Sequence, residues 1–192
     1  MSDSVSGIFR QIGEDLLRLS HSDYLKAVTE ATRRLADAFD SGAKLLVFGN
    51  GGSSADAQHI VAELVGRFAA VRPPLSAIAL GTNSALLTAW SNDTDYADAL
   101  ARELEALGQP GDVAWGISTS GNSPNVVNAL ERARGLGLKT IGLTGKSGGK
   151  VALHCDVLMA VPLAETPRIQ EVHAVTYHAI CAALEERLLG RM

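Results

Sequence analysis

His59 and Glu63 stand four positions apart within a run of helical spacing, Ala55 to Leu64. That spacing brings an imidazole and a carboxylate to one helix face. Such a pair can move protons or hold a borderline divalent cation, and it also occurs as an ordinary solvent-facing pair. The stretch before it tilts the reading. An apolar run, Leu45-Leu46-Val47-Phe48, breaks into Gly49-Asn50-Gly51-Gly52-Ser53-Ser54, where glycines let backbone N–H groups face a ligand with no Cβ in the way. Far along the chain, Gln170, Glu171, His173, Tyr177 and His178 crowd onto one helical segment that also carries Ile169, Val172, Ala174, Val175 and Ile180. At about 100° per residue, Gln170 lies about 60° from His173 and about 80° from His178. Either histidine can join it, and helical geometry does not choose. Imidazole, carboxylate, amide oxygen and second imidazole together suit zinc, with a substrate entering the coordination sphere.

A second candidate loop is Ser118-Thr119-Ser120-Gly121-Asn122-Ser123-Pro124. It offers four hydroxyls between an apolar run, Val113 to Ile117, and a helix opened by Pro124 with Ser123 as N-cap. Hydroxyls, free N–H groups and a positive helix end supply what a phosphate monoester needs without lysine or arginine. A simple capping loop is the plainer alternative. Two better-known phosphate signatures do not fit. The third glycine of GxGxxG would fall at Ser54, and no acidic residue follows the next strand to hold a ribose; before Thr144-Gly145-Lys146-Ser147 the first P-loop glycine is replaced by Thr140.

The elements that must position these groups alternate. Helices are expected over 8–20 and 22–40, the second capped by Ser22 and striped with Leu25, Val28, Thr32, Leu35, Ala36 and Phe39. Strands are expected at 45–48, 76–80, 113–117, 138–143 and 156–161. Helices are expected at 55–66, 83–89, 96–107, 124–136 and 166–189, with 92–95 a loop. Strand–helix alternation implies a parallel sheet with helices on both faces, a three-layer α/β fold of flavodoxin or Rossmann type, with ligands outside the carboxyl ends of the strands. Both glycine–serine loops fall there. The N-terminal helical pair, residues 1–42, has an apolar stripe to bury, on the sheet or between subunits.

The 192 residues suit a single domain over 1–192, large enough to bury a core without staples. A net charge of −4 gives no overall basic field, so nucleic acid is not the expected partner. Cys155 and Cys181 lack CxxC spacing and sit among apolar neighbours, as buried thiols in a reducing compartment do. No run approaches the roughly 20 apolar residues that span a bilayer, and the first residues lack a signal peptide's basic and apolar regions. The expectation is a cytoplasmic protein without membrane partners.

FGNGGSSADAQHIVAELVGRF, SND at 91–93, GISTSGNSPNVV at 116–127, LTGKSGGK at 143–150 and RIQEVH at 168–173 resemble the sugar isomerase (SIS) domain family. The resemblance spans almost the whole chain. The STSGNS loop is shared by many phosphosugar-binding members; His59, Glu63, the RIQ segment and His178 together resemble the members that isomerise D-sedoheptulose 7-phosphate to D-glycero-D-manno-heptose 7-phosphate. The resemblance implies one zinc ion per subunit on His59, Glu63, Gln170 and His178, choosing His178 over His173. It implies phosphate on Ser118, Thr119, Ser120 and Ser123, and sugar oxygens on Asn50, Gly51, Gly52, Asn92, Asp93, Glu63 and Gln170. It further implies a five-stranded parallel sheet in a homotetramer with sites between subunits. Ketose–aldose interconversion moves a proton between C1 and C2 through an enediol, for which Glu63 is the expected base and His178 the expected acid. The product would feed heptose precursors for lipopolysaccharide core or a related glycan. Two alternatives share the loops: a non-catalytic SIS protein that binds the replication initiator, and an isomerase of another phosphosugar.

Overall fold

The computed structural model describes residues 2–190; positions 1, 191 and 192 of the expected span lie outside the described residues. Five parallel strands form one sheet in the order β2-β1-β3-β4-β5, with β1 at Leu45–Gly49, β2 at Ala77–Ala79, β3 at Val113–Ser118, β4 at Lys139–Thr144 and β5 at Val157–Ala160. β1 and β3 are buried along their whole length, as apolar runs covered on both faces must be. Alternation then sorts their side chains. Leu45, Val47, Val113, Trp115 and Ile117 enter one core, while Leu46, Phe48 and Ala114 enter the other.

The first core is closed by α2 (Tyr24–Asp40), α3 (Gly52–Val61) and α7 (Thr166–Leu189). The second is closed by α5 (Tyr96–Leu107) and α6 (Pro124–Gly135). Three layers result, as the sequence implies. α1 (Ser2–Leu19) begins six residues earlier than its apolar pattern suggests and leaves Val5, Ile8, Phe9 and Leu17 exposed. α4 (Ser84–Asp93) is longer than expected, so Asn92 and Asp93 end a helix rather than start a loop. Ser22 does not cap α2. Its hydroxyl donates to the carbonyl of Leu19, and Asp23 occupies the cap position without a side-chain bond to the helix's N–H groups. Both cysteines are free, and burial pushes each thiol up to about 12. Among the described residues no helix is long and apolar enough to cross a membrane.

Strand order reverses between β1 and β3, since the chain leaves β1 toward β2 and returns on the other side. The carboxyl end of that gap is where open parallel sheets bind ligands.

Candidate active site

Two loops flank the gap. After β1 the loop is only Asn50 and Gly51, because Gly51 takes a φ of +54° and α3 starts at Gly52. The expected loop over 50–54 is therefore shorter, and Ser53 and Ser54 lie in a helical turn. Asn50 and Asn125 exchange amide hydrogen bonds of 2.8 Å in both directions across the gap. The Tyr96 hydroxyl donates to Asn50 Oδ1 at 2.7 Å, tying the segment after Asn92 and Asp93 to the same loop. Neither Asn125 nor Tyr96 is singled out by sequence; each looks like an ordinary helix-start residue until the fold brings it to Asn50.

Ser118, the last residue of β3, is buried; in the loop that follows, Thr119 and Ser123 are half-buried and Ser120 is exposed. Ser118 Oγ lies 3.1 Å from Ser123 Oγ, and Ser120 Oγ accepts from the N–H of Asn122 at 3.1 Å. Ser123 holds the N-cap position of α6 but makes no side-chain cap bond, so its hydroxyl is turned into the loop. At Gly121 (φ +66°) a Cβ would run into the Gly148 carbonyl, so the hydroxyl loop closes against the Gly148–Gly149 turn.

The third group lies beside α3 and α7. His59 Nε2 is 3.0 Å from Glu63 Oε1, the contact the spacing predicts. Glu63 belongs to a π-helical turn, Ala62–Gly66, that continues α3 and that periodicity alone does not reveal. His178 packs edge-on to His59 with ring centres 5.0 Å apart, and one donor atom each from His59, Glu63 and His178 lie within 4.8 Å of one another. His173 is elsewhere. Fully buried, it donates from Nε2 to the Thr144 carbonyl at 3.2 Å, and desolvation outweighs that bond and pulls its pKa down to about 4. Helical geometry left both histidines open; the structure brings His178 to His59. Gln170 points its amide at Gly52, the first residue of α3.

Tyr177 supports this group. Its hydroxyl pairs with His59 Nδ1 at 3.1 Å, and its ring meets both His59 and His178 edge-on. Because Glu63 only accepts, a neutral His59 carries its proton on Nε2 and takes the Tyr177 hydroxyl on Nδ1. Asp56 lies beneath the same phenol. Burial raises its pKa, while the nearby His59 pulls the other way. Two imidazoles and one carboxylate at this spacing, with a hydroxyl on the far nitrogen of one ring, are a donor set that zinc accepts with a position left for substrate.

Sheet order, switch-point gap and paired loops define an α/β ligand-binding protein of the doubly wound class. Residues 9–145 match the SIS domain family. The phosphoheptose isomerase of Crocosphaera subtropica is 52% identical over 168 residues, covering 88% of this chain and 86% of that one. That of Aquifex aeolicus is 47% identical over 191 residues and covers all of both chains. The solved phosphoheptose isomerase of Neisseria gonorrhoeae superposes with a TM-score of 0.90 at 36% identity, over 96% of this chain and 98% of that one. The chain belongs to the SIS domain family and, within it, to the phosphoheptose isomerases.

Proposed function

We propose that this chain, as a single SIS domain, interconverts D-sedoheptulose 7-phosphate and D-glycero-D-manno-heptose 7-phosphate in heptose precursor biosynthesis. The observation that carries the reading is the meeting of Glu63 and His178, from two elements far apart in sequence, in a chain that also carries a hydroxyl loop at the sheet's switch point. The phosphate sits on Ser118, Thr119, Ser120 and Ser123 at the N-terminus of α6, where the hydroxyls and the positive end of the helix dipole favour an anion. Asn50, Gly51, Gly52, Asn92, Asp93 and Gln170 take the sugar hydroxyls.

Glu63 moves the proton between C1 and C2, and His178 serves the two oxygens as acid. His59, Glu63, Gln170 and His178 would hold zinc, whose chemistry when bound is to polarise the sugar's oxygens. Glu63 carries two tasks, and a carboxylate on a cation is a weaker base, so it acts as ligand in one state and as base in another. A module that only bound a replication initiator would not need this acid–base pair, which favours the enzyme.

The exposed apolar residues of α1 support an assembly of subunits, and we take it to be a homotetramer. We place it in the cytoplasm, supplying lipopolysaccharide core or a related glycan. The test is conversion of sedoheptulose 7-phosphate by the purified protein, with metal analysis of the same sample and its mass in solution. Turnover that is lost in Glu63→Gln with zinc retained supports the reading. A Glu63→Gln protein with full turnover overturns the base assignment.

A further inference from the structure

The turn that carries Glu63 is held by two buried charges that stand outside the catalytic assignment above. In the π turn Ala62–Gly66, the carbonyls of Glu63 and Leu64 would ordinarily be met by N–H groups five residues on, those of Phe68 and Ala69. Those donors are turned elsewhere. The N–H groups of Phe68, Ala69 and Ala70 all donate to the Glu185 carboxylate, at 3.3, 3.0 and 2.7 Å. One side chain meets both carbonyls: Arg72 donates from Nη2 to the Glu63 carbonyl and from Nη1 to the Leu64 carbonyl, each at 2.7 Å, and the Leu64 carbonyl also accepts from the Leu75 N–H at 3.0 Å. Arg72 Nε also lies 3.3 Å from Glu185 Oε2, and the two side chains are 1% and 6% exposed. Burial alone would raise the Glu185 pKa, but the three N–H groups and Arg72 hold it below the usual carboxylate range.

Position on α7 gives this clamp a use. Glu185 follows His178 by seven residues, two helical turns, so both project from nearly the same face about 10 Å apart along the axis. One end of that face supplies the proposed acid; the other holds residues 68–70 and Arg72, which in turn grips the carbonyls of the turn bearing the proposed base. We infer that Arg72 and Glu185 are positioning residues that fix the register between Glu63 and His178. Arg72 suits the task because a planar fork can meet two adjacent carbonyls and a carboxylate at once, which a single ammonium cannot.

The inference rests on Glu63 as base, so Glu63→Gln is measured alongside. The assay compares the wild type with Arg72→Lys, Arg72→Met and Glu185→Gln for kcat, KM and melting temperature. Leu130→Ala, in the core on the opposite sheet face, is the control for lost stability. A shift of about 1 Å in a reacting group costs up to about 100-fold, so kcat is expected to fall at least about 10-fold in Arg72→Lys and Glu185→Gln. KM should move less than about threefold, because the hydroxyl loop on β3 is untouched. Arg72→Met should be worse than Arg72→Lys, which keeps a charge for Glu185. The inference is overturned if a folded Arg72→Lys or Glu185→Gln protein keeps kcat within about twofold of wild type. It is also overturned if the loss matches that of Leu130→Ala at equal melting temperature, or if neither variant folds, which would make the pair a requirement of the fold. A Glu63→Gln protein that stays active removes the base and this inference with it; an inactive Glu63→Gln beside fully active Arg72 variants removes the inference alone.

Discussion

Adding one methyl group at Gly52 should separate the site's geometry from the fold's stability. Gly52 opens α3 with an ordinary backbone, so alanine meets no conformational penalty there. Its Cβ would instead fall well inside 3.0 Å of Gln170 Nε2. To regain ordinary contact the amide must withdraw by about 1 Å, and its long side chain can do so. Withdrawal takes Gln170 away from the position proposed for ligand and sugar contact. A displacement of that size costs up to about 100-fold in rate, equivalent to about 2.7 kcal/mol. The expected outcome for Gly52→Ala is a kcat/KM lower by one to two orders of magnitude, with stability changed by less than about 0.5 kcal/mol. The assay is steady-state isomerisation with a thermal melt of the same preparation. Adding Gly52→Ala to Gln170→Ala should then cost nothing further, since the group it displaces is already gone. Wild-type kcat/KM in Gly52→Ala would refute the placement of Gln170 in the site, and an additive double variant would refute the route by which the methyl acts.

Two further outcomes follow from groups around α7. His173 is neutral in the folded chain down to about pH 4, whereas an unfolded histidine binds its proton near 6.5. The unfolded state therefore gains protons first, and stability is full above 6.5 and falls as pH drops from there toward 4. Between pH 7 and 5 the loss from this one group is about 2 kcal/mol. Urea unfolding at fixed protein concentration should show that extra loss in wild type and not in His173→Gln; equal losses would contradict the burial argument. Tyr177→Phe removes the hydroxyl from His59 Nδ1 while keeping the ring contacts with both histidines. Zinc affinity, read by competition with a chelator, is expected to fall about 10- to 100-fold. An unchanged affinity would mean that Tyr177 does not orient His59.

Strands and long helices were legible because their causes are local. Leu45 to Phe48 and Val113 to Ile117 are apolar runs between turn residues, and burial on both sheet faces is all that such runs can satisfy. α5 ends where Leu107 meets Gly108, and α7 starts beside Pro167, so punctuation set their limits. The i, i+4 pairing of His59 with Glu63 is equally local. What the sequence concealed depends on partners far away. The π turn at Ala62–Gly66 needs Glu185 to take the N–H groups of residues 68–70, more than a hundred positions distant. Helical spacing could not tell His178 from His173; the family resemblance chose His178, and the physical reason lies in β4, whose Thr144 carbonyl claims the Nε2 proton of His173.

These two long-range contacts act on one rigid body. His173 pins α7 to the sheet by a bond to β4, and Glu185 pins it to the turn after α3, with His178 between them. Two contacts spaced along its length oppose both sliding and rotation of the helix. The orientation of His178 toward His59 and Glu63 therefore follows from contacts that lie outside the reacting group itself. Local rules supplied the chemical types, and tertiary anchors on α7 decided which of them meet.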